Sequence, residues 1–89
     1  VPEGYSLSQN YPNPFNPNTI INYQISAANF VSLKVYDITG REVAALVNEN
    51  QNAGAYSVSF DGRGISSGVY FYKLEAGEFV QTKRMVLIK

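Results

Sequence analysis

Past residue 18 the chain alternates between apolar and polar positions. Thr19, Ile21, Tyr23 and Ile25 fall on one face, opposite Asn22 and Gln24, and Val31, Leu33 and Val35 alternate with Ser32 and Lys34. Tyr56, Val58 and Phe60 alternate with Ser57 and Ser59. Tyr70, Tyr72 and Leu74 share a face against Phe71, Lys73 and Glu75. A repeat of two, built from β-branched and aromatic residues, predicts half-buried strands. From Phe79 to Ile88 the pattern turns apolar on both faces near its end. That predicts a strand covered on both sides, or one with a second partner. Between residues 41 and 53 the signals conflict. Val43 and Leu46 are spaced as on a helix, whereas Val43, Ala45 and Val47 alternate. The segment is read as a short strand with a bulge, followed by an exposed loop over Asn48 to Asn52.

The punctuation between these runs points to an antiparallel meander. Asp37-Ile38-Thr39-Gly40 reads as a hairpin loop closing on a left-handed glycine, and Ala76-Gly77 as a two-residue turn. Asp61-Gly62-Arg63-Gly64 and Ser66-Ser67-Gly68 mark a wider connection, long enough to cross between sheets. Gly68 is expected to take a positive φ or to meet backbone closely. Six or seven short strands with turns at this spacing predict a β-sandwich. Residues 1–89 read as one domain, with 1–18 a lead-in rich in Pro and Asn. Pro12, Pro14 and Pro17 fix φ and remove donors, so this stretch is no central strand. It is expected to be stiff and extended, with Tyr11 and Phe15 folded onto the end of the sandwich.

Composition narrows the chemistry. The chain has no His and no Cys, which excludes a Ser-His-Asp triad, a thiol nucleophile and a disulfide. Seven basic and seven acidic residues cancel and are scattered, so the basic stripe of a nucleic-acid binder is absent. No apolar run reaches the ~20 residues of a membrane helix, and no membrane insertion is expected. The carboxylates Glu3, Asp37, Glu42, Glu49, Asp61, Glu75 and Glu78 lie in or beside predicted turns or on polar faces. Asp37 and Asp61 suit turn-forming bonds to backbone, and no cofactor or metal is expected. Tyr5, Tyr11, Phe15 and Phe71 are candidates for stacking on a sugar, which keeps a carbohydrate- or surface-binding module as the alternative function. The Val1-Pro2 start, without an initiator Met, suggests a piece of a longer protein.

Six phrases, in order, resemble the C-terminal sorting domain of the type IX secretion system. They are Asn10-Tyr11-Pro12-Asn13-Pro14-Phe15-Asn16-Pro17, Thr19-Ile20-Ile21-Asn22-Tyr23, Val35-Tyr36-Asp37-Ile38-Thr39-Gly40-Arg41-Glu42-Val43, Ala53-Gly54-Ala55-Tyr56-Ser57-Val58, Ser67-Gly68-Val69-Tyr70-Phe71-Tyr72 and Thr82-Lys83-Arg84-Met85-Val86-Leu87-Ile88-Lys89. The resemblance implies an all-β fold, a small immunoglobulin-like antiparallel sandwich of about seven strands with Greek-key connections. It implies a non-enzymatic signal that directs a larger upstream passenger through the outer-membrane type IX machinery, by way of the periplasm of a Gram-negative bacterium. The passenger would then be released or attached at the cell surface, with a sortase-like protease among the partners. Carried over to this chain, the recognition elements are Gly68, Val69 and Tyr70 with Lys83, Arg84, Val86, Leu87, Ile88 and Lys89. Phe60 stands where relatives often carry Trp. The stretch from Val35 to Leu74 also resembles the immunoglobulin-like part of the flagellar hook-capping protein.

Overall fold

A computed structural model describes residues 4–89. It contains seven strands: β1 (Ser6–Leu7), β2 (Asn18–Ile25), β3 (Asn29–Tyr36), β4 (Glu42–Gln51), β5 (Gly54–Asp61), β6 (Gly68–Ala76) and β7 (Phe79–Leu87). They form two antiparallel sheets, one ordered β1-β2-β5 and the other β4-β3-β6-β7. Sequence-distant strands lie side by side, β2 with β5 and β3 with β6, so the chain crosses between layers as in an immunoglobulin-like sandwich. The molecule measures 37 × 23 × 16 Å.

The alternation read from the sequence is the burial pattern of the strands. Thr19, Ile21, Tyr23 and Ile25 of β2 face inward, as do Val31, Leu33 and Val35 of β3 and Tyr70, Tyr72 and Leu74 of β6. Side chains alternate across a strand, so this register places every one of them between the sheets. Phe60, Met85 and Leu87 complete the core with Leu7 and Phe15. Each fully buried large aliphatic contributes about 1.5–3 kcal/mol relative to exposure, and the chain has no disulfide to supplement them.

Three expectations need correction. The stretch Asn48 to Asn52 is not a loop: β4 continues to Gln51, with Asn48, Glu49 and Asn50 paired to Ser32, Val31 and Phe30. Backbone pairing on an edge strand does not require apolar side chains, so the polar sequence concealed it. The two-residue turn between β6 and β7 is Gly77-Glu78, one residue later than expected, because Ala76 pairs with Phe79. Gly77 has φ +62, which belongs at the first central position of such a turn. The Tyr11 side chain does not fold onto the sandwich and the residue is 78% exposed, whereas Phe15 is 1% exposed. The expected bulge in β4 is present as two register irregularities against β3, between Leu33 and Lys34 and between Val35 and Tyr36.

Residues 9–15 act as a strap across the side of the sandwich. Tyr11 pairs antiparallel with Ile20 of β2, and Phe15 pairs parallel with Leu87 of β7. The strap therefore passes from one sheet to the other and gives β7 its second partner. The peptide bonds preceding Pro12, Pro14 and Pro17 are cis.

Candidate functional site

The two phrases singled out for recognition, 13 positions apart at their nearest in sequence, meet in space. Gly68 lies opposite Leu87, Val69 opposite Val86, Tyr70 opposite Met85 and Phe71 opposite Arg84. They form one end of the β6–β7 hairpin, and the pleat divides their side chains. Tyr70 and Leu87 point inward with Met85 and are buried. Val69, Val86, Phe71 and Arg84 lie on the outer face. Ile88 is 51% exposed beyond the end of β7. Gly68 opens β6 with φ +153 and nothing near the place a Cβ would occupy, so its requirement is conformational. The Tyr70 hydroxyl donates to the Ser66 carbonyl at 2.6 Å. The Lys89 amide donates to Ser67 Oγ at 3.0 Å, and its Nζ to the Arg63 carbonyl at 2.8 Å. The final residue is thereby fastened to the connection between β5 and β6.

Charge is distributed unevenly around this hairpin. Among the described residues, four ion pairs link Lys34 with Glu42, Arg41 with Asp37, Arg63 with Asp61, and Lys73 with Glu75. Among the described residues, Lys83 and Arg84 have no carboxylate within ion-pair distance. No acidic residue stands anywhere on β7.

The strap fixes β7 from the other side. The Phe15 amide donates to the Val86 carbonyl at 2.9 Å, and the Ile88 amide to the Phe15 carbonyl at 2.9 Å. Asn13 Oδ1 accepts from the Val86 amide at 3.0 Å, and Gln9 Nε2 donates to the Arg84 carbonyl at 2.7 Å. A buried polar knot holds the strap itself. The Tyr72 hydroxyl accepts from the Asn10 amide at 2.8 Å and donates to the Ser8 carbonyl at 2.7 Å. Asn10 Nδ2 donates to Thr19 Oγ1 at 2.9 Å, and Thr19 Oγ1 donates to the Pro12 carbonyl at 2.9 Å. Burial pushes the Tyr72 hydroxyl up to about 12. Sequence reasoning treated this segment as a lead-in and missed the fastening roles of Gln9, Asn10 and Asn13. The signal available was the density of Asn around prolines: a proline has a carbonyl but no N–H, and Asn side chains can supply donors beside it.

Elsewhere the polar groups form turns. Asp37 Oδ1 accepts from the amides of Thr39 and Arg41, each at 3.0 Å, and from the Thr39 hydroxyl at 2.6 Å. That hydroxyl and the Arg41 amide hold Asp37 below the usual carboxylate range. Asp61 is lowered in the same way, by Arg63, whose Nε donates at 2.8 Å. Among the described residues no group of three acidic side chains gathers for a metal, and Glu3 lies outside them. Of the aromatic candidates, Tyr5 stacks on Phe79 at 5.5 Å and Phe15 packs edge-on against Phe60 at 5.9 Å. Phe71 borders an open groove of about 310 Å³ on the outer face of the four-stranded sheet, beside Tyr36, Lys73 and Thr82.

A family model described as a secretion system C-terminal sorting domain matches residues 9–89. No curated protein matches the chain. Among solved structures, one is similar over 98% of this chain, at 22% identity and a TM-score of 0.61. It belongs to PorZ, described as an essential bacterial surface component of the type IX secretion system of Porphyromonas gingivalis. The chain spans 12% of that protein's length, and the likeness shows the shared fold.

Proposed function

Because the chain belongs to the family of secretion system C-terminal sorting domains, we propose that its β6–β7 hairpin end is the surface the export machinery reads. The family consists of sorting signals for the type IX secretion system, and proteins that carry them are secreted or held at the cell surface. In this reading residues 1–89 form one sorting domain attached to an upstream passenger. The passenger travels through the periplasm to outer-membrane type IX components, and a sortase-like protease separates or attaches it. The domain contributes no catalysis, a reading supported by the lack of His and Cys in the sequence.

One observation carries the assignment of the surface: the Gly68-Val69-Tyr70 phrase and the Lys83 to Lys89 phrase pair in register on one hairpin. Within it the residues divide by burial. Tyr70 and Leu87 serve by holding the fold, while Val69, Arg84, Val86, Ile88, Lys83 and Lys89 offer groups to a partner.

Charge reversal separates recognition from folding. Exposed charges rarely contribute more than about 1 kcal/mol, so Lys83→Glu combined with Lys89→Glu leaves the denaturation midpoint close to that of the parent. Secretion of a fused reporter, measured in a host with the type IX machinery, falls severalfold. Equal secretion from an equally stable double variant would remove both charges from the signal.

A further inference from the structure

We infer that the outer edge of β7 from Val80 to Arg84 receives an extended, carboxylate-bearing strand of the protein that reads the signal. This rests on the sorting reading and assigns that same site a mode of docking. Backbone groups alternate sides along a strand. The Arg84 carbonyl, the Val86 amide and carbonyl and the Ile88 amide all point to the strap. The register of β7 against β6 is unbroken, so the amides and carbonyls of Val80 and Thr82 point the same way. There the strap has ended, and among the described residues β7 pairs with no strand on that side. The Val80 side chain is 55% exposed beside this open stretch.

The other edges differ. β4 is broken by two register irregularities, which disrupt the regular edge an added strand needs, and its Glu42 and Glu49 repel a carboxylate-bearing one. β5 is open through Ser57 and Ser59, but β1, β2 and β5 carry no cationic side chain. Among the described residues, only on β7 does an unpaired backbone stretch adjoin two cations without a carboxylate in ion-pair distance, Lys83 and Arg84. The nearest carboxylate along the chain, Glu78, lies at the far turn, and Glu75 pairs with Lys73 at 3.9 Å. An arriving strand therefore gains ladder bonds at Val80 and Thr82 and charge complementarity at Lys83 and Arg84.

The test is residue-resolved amide hydrogen exchange with two capped hexapeptides, one alternating Val with Glu and one alternating Val with Lys. The Glu peptide is expected to slow exchange at Val80 and Thr82 by about ten-fold, and the Lys peptide to slow it far less. Thr82→Pro removes an amide that the fold does not use and abolishes the effect, while Ser57→Pro on β5 leaves it intact. Should Thr82→Pro not fold, Lys83→Gln with Arg84→Gln keeps the edge whole and should bring the Glu peptide down to the level of the Lys peptide. Protection at Ser57 and Ser59 instead, equal protection by both peptides, or none, overturns the inference. Reporter secretion distinguishes the two levels. A domain that exports its reporter yet docks neither peptide refutes only the edge, and one that docks but cannot export in a competent host refutes the sorting reading.

Discussion

Tyr72 joins the strap to the core through a single oxygen. Tyr72→Phe keeps the ring but leaves the Asn10 amide without its acceptor and the Ser8 carbonyl without its donor. An orphaned buried polar group costs about 1–3 kcal/mol, and a urea denaturation curve should show a loss of that order. The same hydroxyl predicts an alkaline limit. Its folded value of about 12 lies above the ordinary 10.0, so the folded state retains a proton that the unfolded chain releases. This contribution is complete below about pH 10 and disappears as pH rises to about 12. Denaturation midpoints taken across that window should fall in the parent and fall less in Tyr72→Phe. At Gly68 the constraint lies in the backbone. With φ +153 and open space around it, Gly68→Val is expected to cost about 1 kcal/mol or more through strain. An unchanged midpoint would show that another residue adopts this conformation freely.

Strands were legible where their side chains alternate, because burial between two sheets imposes that alternation. The inward sets of β2, β3, β5 and β6 could be read directly from the chain. The end of β4 could not, since Asn48, Glu49 and Asn50 pair through backbone while their side chains face water. The strap was legible only as a place where a central strand is impossible. Its bridge to Leu87 joins residues 72 positions apart, and local spacing carries no information about such a contact. The recognition residues were found by resemblance, and only the register revealed that they share a hairpin. Phe15 gives this element its test. Truncating a fully buried Phe costs about 3–5 kcal/mol, against a total of roughly 4–13 kcal/mol for a chain of this size. Phe15→Ala should therefore behave in denaturation as a loss on the scale of Leu87→Ala, at about 2–5 kcal/mol. Removing the neighbouring side-chain cap with Asn13→Ala should cost about 0.5–1.5 kcal/mol.

At the scale of the whole molecule, one core draws on every strand. Leu7 from β1, Val47 from β4 and Leu87 from β7 belong to the same cluster. Unfolding should accordingly be a single transition, with tyrosine fluorescence and far-ultraviolet circular dichroism coinciding. Separate midpoints would mean that the two sheets melt independently. The pairings are non-local, including strap to β7 and Ser8 to Tyr72, so folding belongs in the slow range of about milliseconds to seconds. The parallel bridge between Phe15 and Leu87 has a mechanical consequence. Tyr5 rests against Phe79 at the start of β7, while Lys89 is tied to Ser67 beyond its end, so the two lie at opposite poles. A tension drawn between those poles runs along the strands and loads the bonds of Phe15 and of the β7 ladder together, in shear. Pulled this way, the domain should resist as a clamp; pulled apart across the sheet at the Gly77 turn and a neighbouring strand, the same bonds would give way singly, like a zip.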